Sequence, residues 1–397
     1  MIDYEIIIAG GGPIGCFIAK KLASQGIRVA IMEEHEKIGE PLHCAGLVTP
    51  RVFNISQCSK TGIVQNKIYG AYIHNLDGTI LTIGGNKMHA LVINRPLFDQ
   101  KLADAAHSAK ADLFTSHKIV SAKKDNKSII LTIQHNNHIK TKSCRLLIGA
   151  DGSSSLIRNS FNFPHPLEIL YGIGAELSAT NLDPFFVHIY VGHTLAPGFF
   201  AWVIPTNKHG TTARIGLCIQ KKTPYSLQHY FTNLLQQPIL QGAIVMRRFG
   251  GTIPLGSLKK TVDDNIMLVG DSAAQVKPIS GGGLYPGLLC ATCCTNVAEE
   301  AVQRHTFNTY LLKQYHTKWK KEIGHELSLG MRFRKAFTNL TDDHLIKYQK
   351  KLNNKKIIEI INNYGDIDYP SRVVIPLLKA SPSLLTLAPA LLKNTKK

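Results

Sequence analysis

Gly10, Gly12 and Gly15 stand between an apolar run and a helical pattern, in the spacing Gly-x-Gly-x-x-Gly. Glycine at these positions allows a tight turn, lets backbone approach a pyrophosphate, and lets a helix pack closely on a strand. The run Tyr4-Glu5-Ile6-Ile7-Ile8-Ala9 before them is continuous and apolar, as in a parallel strand covered on both faces. After them Ile14, Ile18, Leu22 and Ala23 recur on one helical face, and free N–H groups at that helix start favour negative charge. Val29-Ala30-Ile31-Met32 reads as a second strand that delivers Glu33, eighteen residues beyond Gly15. A carboxylate there accepts ribose hydroxyls and repels a 2′-phosphate. Strand, turn, helix, strand and acid in that order define an adenine-dinucleotide site.

These pieces need a body to hold them. The chain has 397 residues, enough for two or three domains or one interleaved enzyme. With 44% hydrophobic and 18% charged residues it is an ordinary globular composition. Its charge is unusual: 46 Lys and Arg against 27 Asp and Glu leave +19. Such a field suits anionic lipid headgroups, an acidic protein donor or nucleic acid. No nucleic-acid-binding motif accompanies it, so a nucleic-acid partner is not expected. The eight cysteines show no secreted framework, and the expectation is free thiols in a reducing cytoplasm. Cys290, Cys293 and Cys294 lack a second cysteine pair and lie on a small-residue helix face, so packing is expected there and no metal. No run of eighteen apolar residues offers a membrane span.

Further along, residues 68–73 and 79–83 read as strands around the turn Asn75-Leu76-Asp77-Gly78. Pro96 opens a helix through Leu97, Phe98, Leu102 and Ala106, directly after Arg95. Residues 119–122 and 128–133 alternate as a hairpin, and residues 146–150 form another buried strand ending at Asp151-Gly152. The pattern then changes. Residues 169–177, 185–191, 199–204 and 211–219 suggest an antiparallel sheet. Dinucleotide-type sequence resumes at Ile266-Met267-Leu268-Val269-Gly270-Asp271 and the loop Gly281-Gly282-Gly283, followed by helices.

Taken together, residues 10–15 with Glu33, residues 149–152 with Arg158, and Gly270-Asp271 with residues 281–283 resemble the FAD-binding fold of para-hydroxybenzoate hydroxylase-like flavoproteins. Within that fold, Gly39-Glu40-Pro41-Leu42-His43-Cys44-Ala45-Gly46 and residues 197–205 resemble the geranylgeranyl reductase family. The resemblance implies an α/β chain, α+β overall. A Rossmann-like FAD-binding domain with a parallel sheet (residues 1–165 and 252–325) is interleaved with an antiparallel-sheet substrate domain (166–251). The short strands near 62–90 are expected to join that substrate lobe, and a helical region (326–397) closes the chain.

For the cofactor, FAD, the resemblance implies contacts from Gly10, Gly12, Gly15, Glu33, Cys44, Ala45, Gly46, Arg95, Ile119, Asp271, Gly283 and Leu284. The backbone of residues 281–283 would approach the isoalloxazine, Asp271 would meet the ribityl chain, and Ile119 would line the adenine side. Cys44, Trp202 and Tyr285 are the candidate catalytic residues: aromatic faces can stabilise a developing cation, and a thiol can position substrate, deliver a proton or simply pack. One departure bears on the pocket. Phe200-Ala201-Trp202-Val203-Ile204-Pro205 lacks the family's tyrosine and replaces one aromatic residue by an aliphatic one.

The activity implied is saturation of isoprenoid double bonds in a prenyl lipid, prenyl diphosphate or quinone. NAD(P)H or an acidic ferredoxin-like protein would supply electrons. The alternative from the same fold is an aromatic-ring monooxygenase. Iron–sulfur relatives are disfavoured, because no cysteine follows Cys294. Two readings stay open for Leu384, Leu385, Leu387, Leu391 and Leu392 beside the terminal lysines: peripheral contact with the cytoplasmic face of an anionic membrane, or packing over a substrate tunnel.

Overall fold

A computed structural model of the chain describes residues 2–380; the C-terminal leucines and lysines just named lie outside the described residues. The strand Tyr4–Ala9 sits mid-sheet, parallel to both neighbours: Ile6 faces Val29 of the strand Val29–Met32 on one side and Leu146 of His138–Gly149 on the other. Asp112–Phe114 extends the sheet past Val29–Met32, and Ile266–Leu268 extends it past His138–Gly149. Ile6, Ile7 and Ile8 are fully buried. Ile6 and Ile8 pack under the helices Pro13–Ala23, Arg95–Ser108 and Leu284–Gln303, whereas Ile7 and Ala9 meet the opposite cluster with Leu147 and Leu268. That two-sided burial is why the strand carries an unbroken apolar run. His138–Gly149 is longer than its apolar end, because its polar first half pairs with Ser128–His135, which pairs in turn with Lys118–Asp125.

A second sheet of seven strands runs in the order Ile244–Leu255, Glu168–Ser178, Thr212–Ile219, Phe200–Pro205, Phe186–Val191, Gly70–His74, Ile80–Gly84. All its pairings are antiparallel except Phe186–Val191 against Gly70–His74. The helix Leu227–Leu235 covers one face through Tyr230, Phe231 and Leu234. A small third sheet joins Leu47–Val48, Ala90–Ile93 and Val64–Ile68.

Two details differ from the sequence expectation. Residues 68–73 do not form one strand. The chain leaves the small sheet at Ile68 and enters the large one at Gly70, where the Phe185 carbonyl accepts from both Tyr69 N–H and Gly70 N–H and the Phe186 ring occupies the space a Cβ would need. Nor does the antiparallel sheet stop at 251. The strand Ile244–Leu255 runs unbroken past Gly250 and Gly251 along the whole of Glu168–Ser178.

The helices Leu284–Gln303, Thr309–Trp319 and His325–Phe337 follow, the last two joined by a π-helical turn at Lys320–Gly324 around the fully buried Trp319. Asp342–Leu352 and Lys355–Tyr364 then return to the second sheet, where Asn362 Oδ1 accepts from Gly84 N–H (2.7 Å) and Gln349 Nε2 donates to the Ile73 carbonyl (2.7 Å). Among the described residues no helix is long and apolar enough to cross a membrane.

On that sheet, His74 Nε2 lies 2.9 Å from His188 Nδ1, with Tyr72 and Tyr190 flanking the pair. Burial, and secondarily the neighbouring His74, pull His188 down to about 4. A histidine held neutral in the fold stabilises it above its unfolded value near 6.5, and that contribution is lost as pH falls from there toward 4. Between pH 7 and 4 the protein should lose on the order of 2 kcal/mol through this group. Urea melts of wild type and His188→Phe across that window check it: the variant's midpoint should fall less steeply, and equal slopes would remove His188 as a cause.

Candidate functional site

The glycine turn leaves one face open. A Cβ on Gly15 would collide with the Gly10 carbonyl, and one on Gly10, whose φ is +99°, would collide with the Ala150 carbonyl. A Cβ on Gly12 would meet nothing within 4 Å. Two of the three glycines are therefore demanded by the fold, and the third borders free space at a helix start. Glu33 closes this end. Its carboxylate accepts from Gly11 N–H (2.7 Å) and from the N–H of His35 (2.9 Å), and faces His35 Nδ1 at 2.6 Å. His117 N–H donates to the Glu33 carbonyl, which brings the strand bearing Ile119 beside it.

Residues 44–46 form the next wall. Gly46, with φ +73°, fits between the Ile93 carbonyl and the Arg214 guanidinium, and its N–H points to Cys44 Sγ at 3.4 Å. Arg95, on the first turn of its helix behind the Asn94 cap, pairs with Asp99 (Nη2 to Oδ2 3.0 Å) and reaches Cys44. Burial works against the Arg95 charge, but Asp99 and the Cys44 thiol more than offset it and raise its value.

Asp271 lies on the short turn Gly270–Ala273 after Ile266–Leu268. Its carboxyl is half-buried, with the Arg95 charge acting on it, and a Cβ on Gly283 would come within 2.7 Å of it. Desolvation pushes it up to about 6, partly countered by Arg95. Gly283 caps Leu284–Gln303, whose Leu284 and Tyr285 reach into the main core. Cys290, Cys293 and Cys294 on this helix are buried in the same core.

The remaining candidates are placed differently. Trp202 joins two clusters, one containing Ala45 and Leu47 and the other Phe199 and Val276, with its indole over Gly216 and its buried Nε1 unpartnered. Tyr285 turns toward the C-terminal region: its hydroxyl is 2.6 Å from that of Tyr369. A largely apolar cavity of about 340 Å³ is bordered by Leu47, Ile68, Ala71, Val187, Leu327 and Ile361, with Lys277 and Asp368 among its polar groups. That volume falls within the span of small-molecule sites, about 300–1,000 Å³.

Two features escaped the sequence reading. Arg214, 3% exposed, donates to the carbonyls of Ala45 (3.2 Å) and Ile93 (2.8 Å), to Gln65 Oε1 (3.0 Å) and to Glu176 Oε1 (3.0 Å). Asp368 accepts from Lys277 (2.7 Å), Arg51 (3.0 Å) and Thr49 (2.5 Å). An arginine among the apolar residues 213–219 reads as solvent-facing, so the sequence held no signal for the first. The second joins positions up to 319 residues apart and has no local signal.

This fold and this turn–acid–carboxylate arrangement define a flavoprotein oxidoreductase. Residues 3–318 match the FAD binding domain family, and the chain belongs to it. An uncharacterized protein of Methanocaldococcus jannaschii is 32% identical over 381 residues, covering 95% of both chains. A digeranylgeranylglycerophospholipid reductase of the same organism is 29% identical over 355 residues, covering 86% of this chain and 88% of its own. Among solved structures, a geranylgeranyl bacteriochlorophyll reductase-like protein from Thermoplasma acidophilum superposes with a TM-score of 0.86 at 20% identity, covering 98% and 99% of the two chains. A p-nitrophenol 4-monooxygenase from Pseudomonas putida reaches 0.71 at 14% identity, covering 91% and 97%. The enzyme is FAD-dependent.

The residues present fit that cofactor. The open face at Gly12 admits a pyrophosphate at a helix start, and the half-buried Asp271 carboxyl, free to accept from a ligand, suits a hydroxylated chain. A carboxyl raised above its unfolded value stabilises the fold fully below about 4 and loses that contribution as pH rises through 6. Flavin-free wild type should therefore gain stability relative to Asp271→Ala as pH is lowered from 7 to 4, while the variant binds FAD about tenfold more weakly. Thermal melts of the stripped proteins and FAD titration check both, and a pH-independent difference would mean that Asp271 is not held protonated.

Proposed function

We propose that the protein is a FAD-dependent prenyl reductase that saturates isoprenoid double bonds of a lipid. The observation that carries this reading is the apolar cavity lying against residues 277–280, which lead into the triple glycine, and against Leu47, which shares a cluster with Ala45 and Trp202. The named reductase relative over 86% of the chain supports it. When bound and reduced, FAD supplies hydride. The chain must do the rest. Leu47, Ile68, Val187 and Leu327 bury an alkyl chain and exclude water, which an unpolarised alkene requires before a cation can develop. Trp202 offers a ring face to positive charge. Cys44 Sγ, facing Arg95, is the atom assigned to hold the proton or to orient the chain. Cys44→Ser should retain FAD and change the extent of reduction; products indistinguishable from wild type would return the thiol to packing.

The test is anaerobic. Dithionite-reduced protein is mixed with digeranylgeranyl glycerophospholipid, geranylgeranyl diphosphate or menaquinone, and products are read by mass. Flavin reoxidation with two hydrogens gained per double bond is expected. No reoxidation by any of the three, with substrate-dependent oxygen uptake on an aromatic compound instead, would overturn the assignment in favour of hydroxylation. Comparing NADH, NADPH and a reduced ferredoxin identifies the donor. The net charge of +19, with exposed Tyr364 and Ile375 near the C-terminal end, supports peripheral membrane contact as part of the same reading. Flotation with anionic liposomes that weakens with salt is expected, and equal recovery with neutral liposomes would remove that part.

A further inference from the structure

The polar edge of the cavity belongs to two segments far apart in sequence. Lys277 opens the tight turn before the triple glycine: its N–H donates to the Gly282 carbonyl (3.2 Å) and its own carbonyl accepts from Gly281 N–H (2.9 Å). Its side chain lies along Gly282, where an added Cβ would come within 2.9 Å of Cε and 3.3 Å of Nζ. The ammonium is thus fixed against the loop that the family resemblance assigns to the flavin ring. Its partner is Asp368, at 2.7 Å and without side-chain exposure.

Asp368 sits on residues 365–373, which pass along the cavity and supply Gly365, Asp366, Ile367, Asp368, Pro370 and Val373 to its lining. This strap rests on the body through the Tyr369 ring, which packs against the main core, and through polar contacts. Asp366 pairs with Arg51 (2.7 Å) and Arg372 (2.9 Å), Asp368 with Arg51 and Lys277, Tyr369 with Tyr285, and Ser371 with Glu326. Arg51 and Lys277 belong to the body, whereas both aspartates and Arg372 belong to the strap. Seating the strap therefore brings two negative charges and one positive charge to the two body cations. Its following helix, Ser371–Ala380, has no buried residue, so little apolar packing holds that end down.

We infer that the Lys277–Asp368 pair is a link through which the strap sets the charge facing the flavin loop, so that filling the cavity favours flavin reduction. With the strap seated, Asp368 neutralises Lys277. A bulky apolar occupant that pushes residues 365–373 outward separates the pair and leaves the Lys277 ammonium uncompensated beside the glycines. A cation near the ring stabilises the anionic reduced form. Reduction then follows substrate entry. The inference rests on the prenyl-reductase reading for the nature of the occupant, but the electrostatic link itself does not.

The test measures the midpoint potential of the FAD-loaded enzyme without substrate in Lys277→Met, Asp368→Asn and the double variant. Losing the cation should move the potential negative by about 30 mV, a tenfold shift for a two-electron couple. Losing the anion should move it positive by a similar amount, and the double variant should return near wild type. Opposite signs are the signature, since a variant that merely loosened the loop would move both single variants the same way. Hydrogen exchange in residues 365–373 should rise in all three. A second arm adds saturated diphytanyl glycerophospholipid, which cannot be reduced: it should raise the wild-type potential and leave Asp368→Asn unmoved. Same-sign or absent shifts in the first arm overturn the link. Opposite shifts together with no response to the lipid keep the link and reject a prenyl occupant, which separates this inference from the proposed activity.

Discussion

Gly15→Ala should purify colourless. The added methyl would meet the Gly10 carbonyl head-on and press on Ile8 Cγ2 at 3.2 Å, so the turn must open. Overpacking of this kind costs about 1–3 kcal/mol of stability. The turn that presents the pyrophosphate amides is also lost, so FAD affinity should fall at least a hundredfold, about 3 kcal/mol. Gly12→Ala separates the two effects. Its φ of −68° suits alanine and the methyl meets no protein atom within 4 Å, so stability should stay within about 0.5 kcal/mol of wild type. Affinity should still fall at least tenfold, because the methyl occupies the open face. Urea midpoints with FAD titration read both numbers. A Gly12→Ala protein binding FAD normally would show that the cofactor does not approach this face.

Arg214→Met should be the most damaging change outside the glycine turn. It leaves the carbonyls of Ala45 and Ile93 without their charged donor, and Glu176 with Arg247 at 3.4 Å as its remaining ion-pair partner. Removing one member of a buried ion pair costs about 3–5 kcal/mol. Glu176 keeps some solvent access, so the lower end, about 3 kcal/mol, is expected here. Residues 44–46 lose their backing at the same time, so FAD should dissociate during gel filtration. Arg214→Lys should recover only part of either loss, since one ammonium cannot span four acceptors arranged around a planar fork. A denaturation midpoint for Arg214→Met equal to wild type would dismiss the role.

What the sequence disclosed follows from range. The turn at Gly10, the strands around it and the acid at Glu33 are specified within about thirty residues, and local patterning conveys them. The helix start at Arg95 was legible through Pro96, and the strand before Asp271 through its apolar run. The split at Tyr69 was not, because Ile68 and Gly70 carry the same alternating pattern and differ only in which distant strand each one meets. Arg214 looks like any outward arginine until the strand bearing it is seen beneath residues 44–46. Tyr285 illustrates the same limit. Its place just after the glycine loop was readable, but its seat on the first turn of Leu284–Gln303 was not, and the direction of its hydroxyl depends on Tyr369, 84 residues later.

The position of Tyr4–Ala9 at the middle of its sheet governs how the chain can be made. One neighbouring strand is synthesised at once, but the other, His138–Gly149, lies beyond more than a hundred intervening residues, and Ile266–Leu268 later still. At about 5–20 residues per second, the nascent chain carries an unpaired flank of Ile6, Ile7 and Ile8 for roughly ten to thirty seconds after it leaves the ribosome. The segment that dictates the cofactor site is therefore also the one most exposed to mispairing during translation. Early-binding chaperones should engage it there, and ribosome stalling before residue 144 should leave the N-terminal segment sensitive to protease.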